Sequence, residues 1–490
     1  IPAGHSVNGR KFRPDADHHV KILVTEPEKS GAGPEYRVGT LVYTLPTLLM
    51  TMVWLLWGDL CFSLMESVFP AVVPLMLKQM DTPNWMVALF RSTIPGLLNA
   101  TVCPFVSYWS DRHRSRLGRR IPFILYTLPF LCLFLVLIGS VPRLAEFLVR
   151  QGWLKDSRMV AWVLMGLFVT GFQFFNMFVG SVYYYLFNDV VPSRFLGRFL
   201  AAFRVVGVLA GSGFYFFVFP IAETRFLEIF LGAALVYGIG FTLMCLFVKE
   251  GEYPPPPNHG KQSLWAGIGT FFRESFGQSF YWQFYLFVAF WTASNAGVVF
   301  VVFFAQSLGI SLAQFGQYTG AGAIVSAVLL LPCGFLSDRF HPLRTLLVAV
   351  LLMAGCSLLP LVFLFVTVSP EKAFPVWCVT FGAGLPVLAL FAAAELPTYM
   401  SVLPRERYGQ FSAATAMLKS VFAMTAGLLC GLLLDGLKMW DPGRAYFYLP
   451  LWSASFQAVA AFFLWRLYRH WKALGGVKGY VAPLPRVPSA

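Results

Sequence analysis

Residues 111–123 read DRHRSRLGRRIPF, a short basic loop between two long apolar segments. The segment before it runs from Asn84 to Tyr108, and the one after it from Ile121 to Val141. About twenty apolar residues in a helix cross the roughly 30 Å of hydrocarbon in a bilayer, and a helix satisfies its own backbone hydrogen bonds there. The stretch therefore predicts two membrane-spanning helices joined by a positively charged loop.

The composition of the whole chain favours the same surroundings. Of its 490 residues, 57% are hydrophobic and 12% are charged, which is about half the charged share of a typical soluble domain. The formal net charge is +14, but the basic residues occur in short runs between apolar segments. They form no basic domain with interleaved aromatic residues that would follow a phosphate backbone. We therefore expect a lipid bilayer, and not nucleic acid, as the partner of this surface.

Twelve segments are long and apolar enough to span a bilayer, which predicts an all-α integral membrane protein with twelve transmembrane helices. Their predicted limits are Leu48–Val72, Asn84–Tyr108, Ile121–Val141, Val160–Phe187, Phe199–Phe219, Phe226–Val248, Tyr281–Leu308, Gly316–Leu336, Leu343–Val368, Phe374–Leu396, Phe411–Leu434 and Tyr446–Leu467.

A polar segment, Lys249–Gln278, separates the first six spans from the last six and contains the proline run Pro254–Pro257. A stiff proline run is typical of a linker, although it is also the form of ligand that polyproline-binding domains recognise. We predict an N-terminal tail (1–44), a six-helix half (45–248), a linker (249–279), a second six-helix half (280–467) and a C-terminal tail (468–490).

The distribution of basic residues predicts the orientation. With a cytoplasmic N-terminus, 25 of the 37 Lys and Arg residues fall on inside segments, nine on outside loops and three within spans. This positive-inside asymmetry predicts that both termini are cytoplasmic, in a multi-pass protein of the plasma membrane. The first forty residues are polar and show no cleavable signal peptide, and the absence of an initial Met leaves open whether residues precede Ile1. The eight cysteines all lie in apolar segments without metal-ligand spacing, so no metal site is expected.

Two stretches recur at equivalent places in the two predicted halves. Trp109–Arg112 reads WSDR after the second span, and Leu336–Arg339 reads LSDR after the eighth. Val191–Ala202 and Leu403–Ala414 share a Pro, a Gly, a Phe and two Ala residues at the same spacing. Because these matches lie largely in polar loops, duplication of a six-helix unit explains them better than chance.

The loop 111–123 resembles the signature of the major facilitator superfamily. More narrowly, it resembles D-R-x-x-S-R-x-G-R-R-x-P-F of the glycoside-pentoside-hexuronide:cation symporters and the related sucrose transporters. The second copy, Gly334 to Arg339, matches only the general pattern, and Ser107 stands where the superfamily has a glycine. The resemblance implies the major facilitator fold and transport by alternating access. The matching residues are Asp111, Arg112, Ser115, Arg116, Gly118, Arg119, Arg120, Pro122 and Phe123.

The acidic residues of the two loop copies, Asp111 and Asp338, are candidates for a conformational latch. A carboxylate at a span end can accept hydrogen bonds from a neighbouring helix N-terminus and pair with arginines in one domain arrangement but not the other. We expect the latch to hold the outward-open state. In the alternative interpretation, the arginines only keep the loop at the cytoplasmic face, against anionic lipid. The other predicted latch residues are Arg112, Arg116, Gly118, Arg119, Arg120 and Arg339.

Charged residues inside the spans are candidates for energy coupling, because each is costly in hydrocarbon unless it is paired or faces water. Asp59 and Glu66 lie seven residues apart, on one face of the first helix. We predict that Glu66 pairs with Arg91 of the second span and that Asp59 binds a coupling proton or sodium ion. A structural carboxylate is the alternative for Asp59. Lys419 is the other cation at comparable depth.

Polar and aromatic residues at similar depth are candidates for a substrate cavity. They are Gln173 and Asn176 on the fourth span and Trp291 and Asn295 on the seventh. Amides and an aromatic ring suit a sugar, but such residues also serve as contacts between helices. Arg204 and Glu395 lie nearer the cytoplasmic ends, where snorkelling or gating contacts explain them.

The leading hypothesis is a symporter of a sugar or glycoside, coupled to protons or sodium ions and needing no other cofactor. A lysolipid or other amphiphile is the alternative substrate, and a membrane sensor that has lost transport is a further possibility. An enzyme is not expected, because the sequence has no zinc-ligand spacing, nucleophile elbow or P-loop. Substrate identity, coupling ion, direction and oligomeric state are not specified by these patterns.

Overall fold

The computed structural model describes residues 36–152, 156–252 and 271–483. Pro254–Pro257 of the predicted linker lie outside these ranges, as do residues 1–35 and 484–490 of the predicted tails. Within the described ranges the chain is helical, apart from one antiparallel hairpin, Tyr36–Val38 and Leu41–Tyr43. The hairpin packs the Tyr36 ring edge-on against Phe195 at a centroid distance of 5.1 Å.

Twelve helices in the described part of the chain are long and apolar enough to cross a membrane, which confirms the predicted number. They are numbered here as spans 1 to 12 in chain order. Their bounds are Leu45–Gln79, Asn84–Cys103, Ile121–Arg150, Ser157–Val190, Ser193–Ile221, Phe226–Phe247, Ser279–Ser307, Leu312–Phe340, Pro342–Phe365, Pro370–Val402, Arg405–Trp440 and Ala445–Ala473.

Most of these helices are longer than the apolar segments that predicted them. Span 1 continues past Val72 to Gln79 and contains Pro70 and Pro74, while span 12 continues past Leu467 to Ala473. Apolar length reports the hydrocarbon crossing alone, whereas a helix continues into the interfacial region wherever its backbone hydrogen bonds continue. The helix of span 2 likewise continues to Arg112, at the beginning of the basic loop.

Several spans change helix type partway. Span 2 contains a π-helical turn at Leu89–Thr93, and span 5 contains another at Phe214–Val218 followed by a 3₁₀ turn at Phe219–Ile221. Span 7 contains a 3₁₀ segment at Asn295–Phe300 between two α-helices, and span 9 has one at Leu359–Leu361. π-helical turns inside α-helices are frequent at functional sites.

The packing of the two six-helix halves is repeated. Span 1 packs against spans 5 and 6, and span 7 packs against spans 11 and 12. Span 3 packs against spans 4 and 6, and span 9 against spans 10 and 12; spans 2 and 4 correspond in the same way to spans 8 and 10. The halves meet through spans 2 and 11 and through spans 5 and 8. This correspondence supports the duplication inferred from the loop sequences.

The two ends of the helix bundle differ. The distal end carries Asn84, Asp435 and Tyr446, and the linker end carries the loop 111–120, Glu250 and Arg407. A continuous hydrophobic core joins the N-terminal half to the distal part of the C-terminal half. A separate core, built around Phe280–Val288, fills the linker end of the C-terminal half. The hydrogen bonds that join the halves, such as those from Thr93 to the Met424 carbonyl and from Ser212 to the Gly320 carbonyl, lie in the distal half of the spans. The structure is therefore closed at the distal end and open at the linker end.

Candidate functional site

The N-terminal half contains a cavity of about 750 Å³ between spans 1, 2, 4 and 5. Its wall combines hydrogen-bonding groups, one carboxylate, one guanidinium and aromatic rings. Such a mixture can hold a polar solute by hydrogen bonds while rings cover its apolar surface. The lining residues that carry this chemistry are Phe62, Ser63, Glu66, Ser67, Asn99, Asn176, Ser181, Tyr184, Tyr185, Phe203 and Arg204.

Asp59 lies directly behind this cavity and is fully buried. The hydroxyl of Ser63, which lines the cavity, donates a hydrogen bond to Asp59 Oδ1 at 3.2 Å. Asp59 Oδ2 has no hydrogen-bond partner among the described residues. A bare carboxylate in such a position is costly, so a proton or a cation is needed to neutralise it. The predicted coupling residue therefore occupies a position suited to that role, one hydrogen bond from the cavity.

Glu66 opens into the same cavity and is tied to two other spans. Asn176 Nδ2 donates to Glu66 Oε1 at 3.3 Å, and the hydroxyl of Tyr237 on span 6 donates to Asn176 Oδ1 at 3.4 Å. The charges of Glu66 and Arg91 act on each other, but no ion pair within 4 Å joins these two residues. The direct pair predicted from the sequence is therefore not formed in this conformation. The π-helical turn of span 2 carries Arg91 into a different cavity.

That second cavity, of about 520 Å³, lies between the halves. Both π-helical turns contribute to its wall, through Arg91 and Tyr215. Span 7 contributes Trp291 and Asn295 at the point where its α-helix becomes 3₁₀. The Trp291 ring stacks on Phe391 at 4.0 Å, and Asn295 Nδ2 donates to the Trp291 carbonyl at 2.8 Å. The rest of the wall is mostly apolar.

The structure separates the predicted cavity residues. Asn176 lines the first cavity, and Trp291 and Asn295 line the second, whereas Gln173 is buried and lines neither. Lys419 is exposed on span 11 and makes no hydrogen bond or ion pair with a described residue. The cation whose charge reaches Asp59 is Arg204. Arg204 lines the first cavity, whereas the sequence suggested snorkelling or gating contacts for it near the cytoplasmic end. No sequence signal identified Arg204 as a cavity residue, because the rotation of span 5 about its axis comes from the fold.

The motif residues that end the basic loop form a compact network within the N-terminal half. Gly118 has a φ of +105°, and the Glu250 side chain lies against the place a Cβ would occupy, so other residues would be strained there. The Glu250 carboxylate accepts hydrogen bonds from the backbone N–H groups of Arg119, Arg120 and Ile121 at 2.9, 2.8 and 2.6 Å. It therefore caps span 3 at its N-terminus. Burial raises the pKa of Glu250, while these three N–H groups act in the opposite direction.

The two arginines of the motif converge on Asp189, at the end of span 4. Arg119 binds it through two nitrogens, at 3.0 and 2.6 Å, and Arg120 Nε lies 3.3 Å from Asp189 Oδ2. Arg120 also donates to Ser110 Oγ at 2.5 Å. Sequence reasoning missed both acidic partners, Asp189 and Glu250, because they lie far along the chain from the motif.

In the second loop copy, Asp338 and Arg339 make no hydrogen bond or ion pair across the halves with a described residue. Asp338 is exposed and has no hydrogen bond or ion pair with a described residue, and the guanidinium of Arg339 lies over the Phe340 ring at 5.7 Å. Arg112 and Arg116 are exposed, and the side chain of Asp111 lies outside what the structure describes. The latch therefore stays a prediction for the other conformation.

The C-terminal half has its own network at the linker end. Arg407 Nη1 lies 2.9 Å from Glu274 Oε2, and Gln410 Nε2 donates to the same oxygen at 3.1 Å. The hydrogen bond from Gln410, together with the charge of Arg407, lowers the pKa of Glu274. This network joins the segment before span 7 to the beginning of span 11.

The family model of the Major Facilitator Superfamily matches residues 216–427. No curated protein sequence matches the chain. Three solved proteins are similar in structure to this chain, at low sequence identity. A bacterial homologue of the human lysosomal transporter Spinster, inward-facing and unoccupied, is 17% identical with a TM-score of 0.62, over 87% of this chain and 98% of that one. The nucleoside transporter NupG, as a D323A mutant, is 12% identical with a TM-score of 0.64, over 85% of this chain and 100% of that one.

A bacterial homologue of the iron transporter ferroportin is similar in two conformations. Its inward-facing structure is 15% identical with a TM-score of 0.62, over 87% of this chain and 99% of that one. Its outward-facing structure gives a TM-score of 0.54, over 86% and 99%. At these identities the likeness concerns the fold alone. The chain is thus an integral, multi-pass membrane protein with the major facilitator fold, twelve transmembrane helices in two six-helix halves.

Proposed function

We propose that the protein is a secondary active transporter that moves a sugar or glycoside together with a proton or sodium ion, by alternating access between its two halves. The observation that carries the proposal is the cavity of about 750 Å³ in the N-terminal half, with the buried Asp59 directly behind it. The similar structures are transporters. Together with the family-model match, they support the general class of membrane transporter.

The chemistry of the cavity wall favours a polyhydroxylated solute. Glu66, Asn99, Asn176 and Arg204 supply hydrogen-bond donors and acceptors, and the rings of Tyr184, Tyr185 and Phe203 supply apolar faces. A sugar needs both, because its hydroxyls must exchange water for protein partners while its C–H face needs an apolar surface. The single carboxylate and single guanidinium also balance in charge, which suits a neutral solute.

The coupling step is assigned to Asp59. Its Oδ2 atom has no hydrogen-bond partner in the part of the chain that the structure describes, and its Oδ1 atom is reached from the cavity through Ser63. Binding of a proton or sodium ion at Asp59 neutralises the carboxylate. It also changes the hydrogen-bond acceptor that is available to the Ser63 hydroxyl. Occupancy of the coupling site and of the cavity are therefore linked through one hydroxyl.

With both termini cytoplasmic, as the basic residues predict, the linker end faces the cytoplasm and the structure is inward-open. We place the protein in the plasma membrane, with the loop 111–120 inside the cell. The higher TM-score to the inward-facing state of the ferroportin homologue supports this conformation.

An amphiphile such as a lysolipid is the second candidate substrate, and the cavity between the halves favours it. That wall is mostly apolar, with Trp291, Phe315, Phe381 and Leu388 among its residues. An acyl chain fits such a wall better than a sugar does.

The test is uptake by proteoliposomes that contain the purified protein, with labelled glycosides or a labelled lysolipid and an imposed proton or sodium gradient. We expect accumulation of a glycoside only when one of the two gradients is present. Arg204→Lys should weaken uptake, and Arg198→Lys, an exposed arginine on the same helix, is the matched control. Accumulation of lysolipid alone would replace the sugar, and gradient-independent equilibration would remove the coupling.

A further inference from the structure

Asp435, near the distal end of span 11, accepts hydrogen bonds from the other half of the protein. Its Oδ1 atom accepts from the backbone N–H of Asn84 at 2.9 Å and from Asn84 Nδ2 at 2.8 Å. Its Oδ2 atom accepts from the backbone N–H of Trp85 at 2.9 Å. These are the first backbone donors of span 2, which have no partner within their own helix. One carboxylate therefore satisfies a helix N-terminus that belongs to the opposite half.

Tyr446, at the beginning of span 12, completes this contact. Its hydroxyl donates to Asn84 Oδ1 at 2.9 Å, so every polar atom of the Asn84 side chain is bound by the C-terminal half. Asn84 is fully buried. We call these four residues, Asp435, Asn84, Trp85 and Tyr446, the distal lock.

Two lysines from opposite halves lie beside the distal lock. Lys438 Nζ lies 4.9 Å and Lys78 Nζ 5.7 Å from the centre of the Tyr446 ring, and Lys78 is also 5.8 Å from that of Phe303. The charges of both lysines and of Asp435 act on each other, and hydrogen bonds to a carboxylate are charge-assisted.

The backbone geometry brings the two helices close enough for this contact. Gly427, Gly431 and Asp435 recur every four residues and share one face of span 11. A Cβ built on Gly431 would lie 2.6 Å from Trp85 Cα, and one on Gly427 would lie 2.7 Å from Ser92 Cβ. Larger residues at either position would push span 2 away from span 11. The distal lock thus depends on a glycine surface that admits the partner helix.

We propose that Asp435 is a positioning residue for alternating access, in that the distal lock holds the distal end closed and must release before that end opens. The inference rests on the proposed transport by alternating access. In the conformation that is open at the distal end, spans 2 and 11 are separated there. Asp435 then binds water in place of the Asn84 and Trp85 amides, and these amides bind water as well. Loss of the lock therefore favours that conformation. Because hydrogen bonds to a charged group are the strong ones, we expect a population shift of about tenfold or more from Asp435→Asn.

Hydrogen–deuterium exchange of the full-length protein in lipid nanodiscs measures this shift without a substrate. In Asp435→Asn, exchange of peptides covering residues 82–90 should rise about tenfold. Exchange of linker-end peptides covering 105–117 and 330–344 should fall at the same time, because that end closes. Asp441→Asn, which removes a carboxylate at the same end outside the lock, is the matched control and should leave both regions unchanged.

Two further variants keep the test decisive if Asp435→Asn folds poorly. Tyr446→Phe removes one hydrogen bond, so it should raise exchange at residues 82–90 and lower exchange at the linker end by less than Asp435→Asn does. Gly431→Ala should change exchange in the same two directions, because the added methyl group pushes span 2 away from span 11. Faster exchange at residues 82–90 without slower exchange at the linker end would overturn the proposal, since Asp435 would then only cap a helix. The same change in Asp441→Asn would also overturn it. Failure to find a transported solute would count against the proposed function and leave this measurement unaffected.

Discussion

At the distal end polar contacts cross from one half of the protein to the other, whereas the polar contacts that the structure describes at the linker end do not cross between the halves. Asp435 binds Asn84 and Trp85 across the interface, and Gln306 donates to Glu223 across it at 2.6 Å. At the linker end, Glu250 and Asp189 bind the motif arginines within the N-terminal half. Glu274 binds Arg407 within the C-terminal half. Among the described residues, hydrogen bonds between the halves all lie in the distal half of the spans or at their distal ends.

Similar hydrogen-bond networks therefore have different effects at the two ends of the protein. A network inside one half stabilises that half in every conformation and does not bias the equilibrium between conformations. A network across the halves exists in one conformation only, so its free energy enters that equilibrium directly. Mutations at the linker end should therefore change stability, and mutations at the distal end should change the population of states.

The largest effect is expected from Asp59, which belongs to neither end and lies behind the cavity. Asp59→Asn removes the charge that the coupling ion neutralises while keeping the size of the side chain. We expect at least a tenfold loss of gradient-driven accumulation, with substrate exchange across the membrane retained. Uptake and counterflow in the same proteoliposomes measure both. Full accumulation by the variant would exclude Asp59 as the coupling residue.

Glu250 provides a strong test of the linker end. Glu250→Ala leaves three backbone N–H groups at the N-terminus of span 3 without their charged acceptor, at a cost of about 1.5–3 kcal/mol in the free energy of unfolding. Denaturation in detergent micelles measures the loss, and Glu252→Ala, an exposed neighbour, is the control. The exchange of distal peptides should stay at the wild-type rate. An increase there would show that the linker-end network does reach the other half.

Arg119 should give a smaller effect of the same kind. Arg119→Lys replaces a two-nitrogen contact with Asp189 by a single ammonium, which should cost about 1–2 kcal/mol. The same denaturation experiment applies, with Arg116→Lys at an exposed position of the same loop as the control. Equal stabilities of the two variants would contradict the assigned role of the pair between Arg119 and Asp189.

The smallest effect is expected at Glu274, which is partly exposed. Its pKa is lowered in the folded protein, so its stabilising contribution is present above the ordinary pKa of a glutamate and is lost as the pH falls through the lowered pKa. Glu274→Gln should lower the melting temperature at neutral pH by less than about 2 °C. Melting curves of both proteins should converge as the pH falls. A difference that grows on acidification would contradict this sign.

The sequence predicted the features that depend on apolar length and on short-range motifs. The twelve spans, the major facilitator fold and the equivalence of the loops at Asp111 and Asp338 follow from these. Rotation of each helix about its axis could not be predicted, because lipid-facing and core-facing surfaces are both apolar. This is why Arg204 was not expected in the cavity and why Arg91 was expected beside Glu66. The π-helical turn that redirects Arg91 has no clear sequence signal.

The acidic partners of the motif arginines could not be predicted from the sequence for a different reason. Asp189 and Glu250 lie 70 and 131 residues from Arg119 along the chain, so only the packing of spans 3, 4 and 6 brings them together. Asp435 was hidden in the same way, because 351 residues separate it from Asn84. Its spacing of four residues from Gly431 places both residues on one face of a helix. Only the fold shows that span 2 packs against that face.

Distance measurements by double electron–electron resonance show whether the two ends of the protein open in alternation. Spin labels on noncanonical residues leave the eight native cysteines in place. One pair, at Gln151 and Lys372, reports the distal end, and the other, at Arg194 and Arg344, reports the linker end; all four side chains are exposed. Across a series of substrate and ion gradients, the distal distance should lengthen as the linker-end distance shortens. Two distances that stay fixed, or that lengthen together, would contradict this alternation.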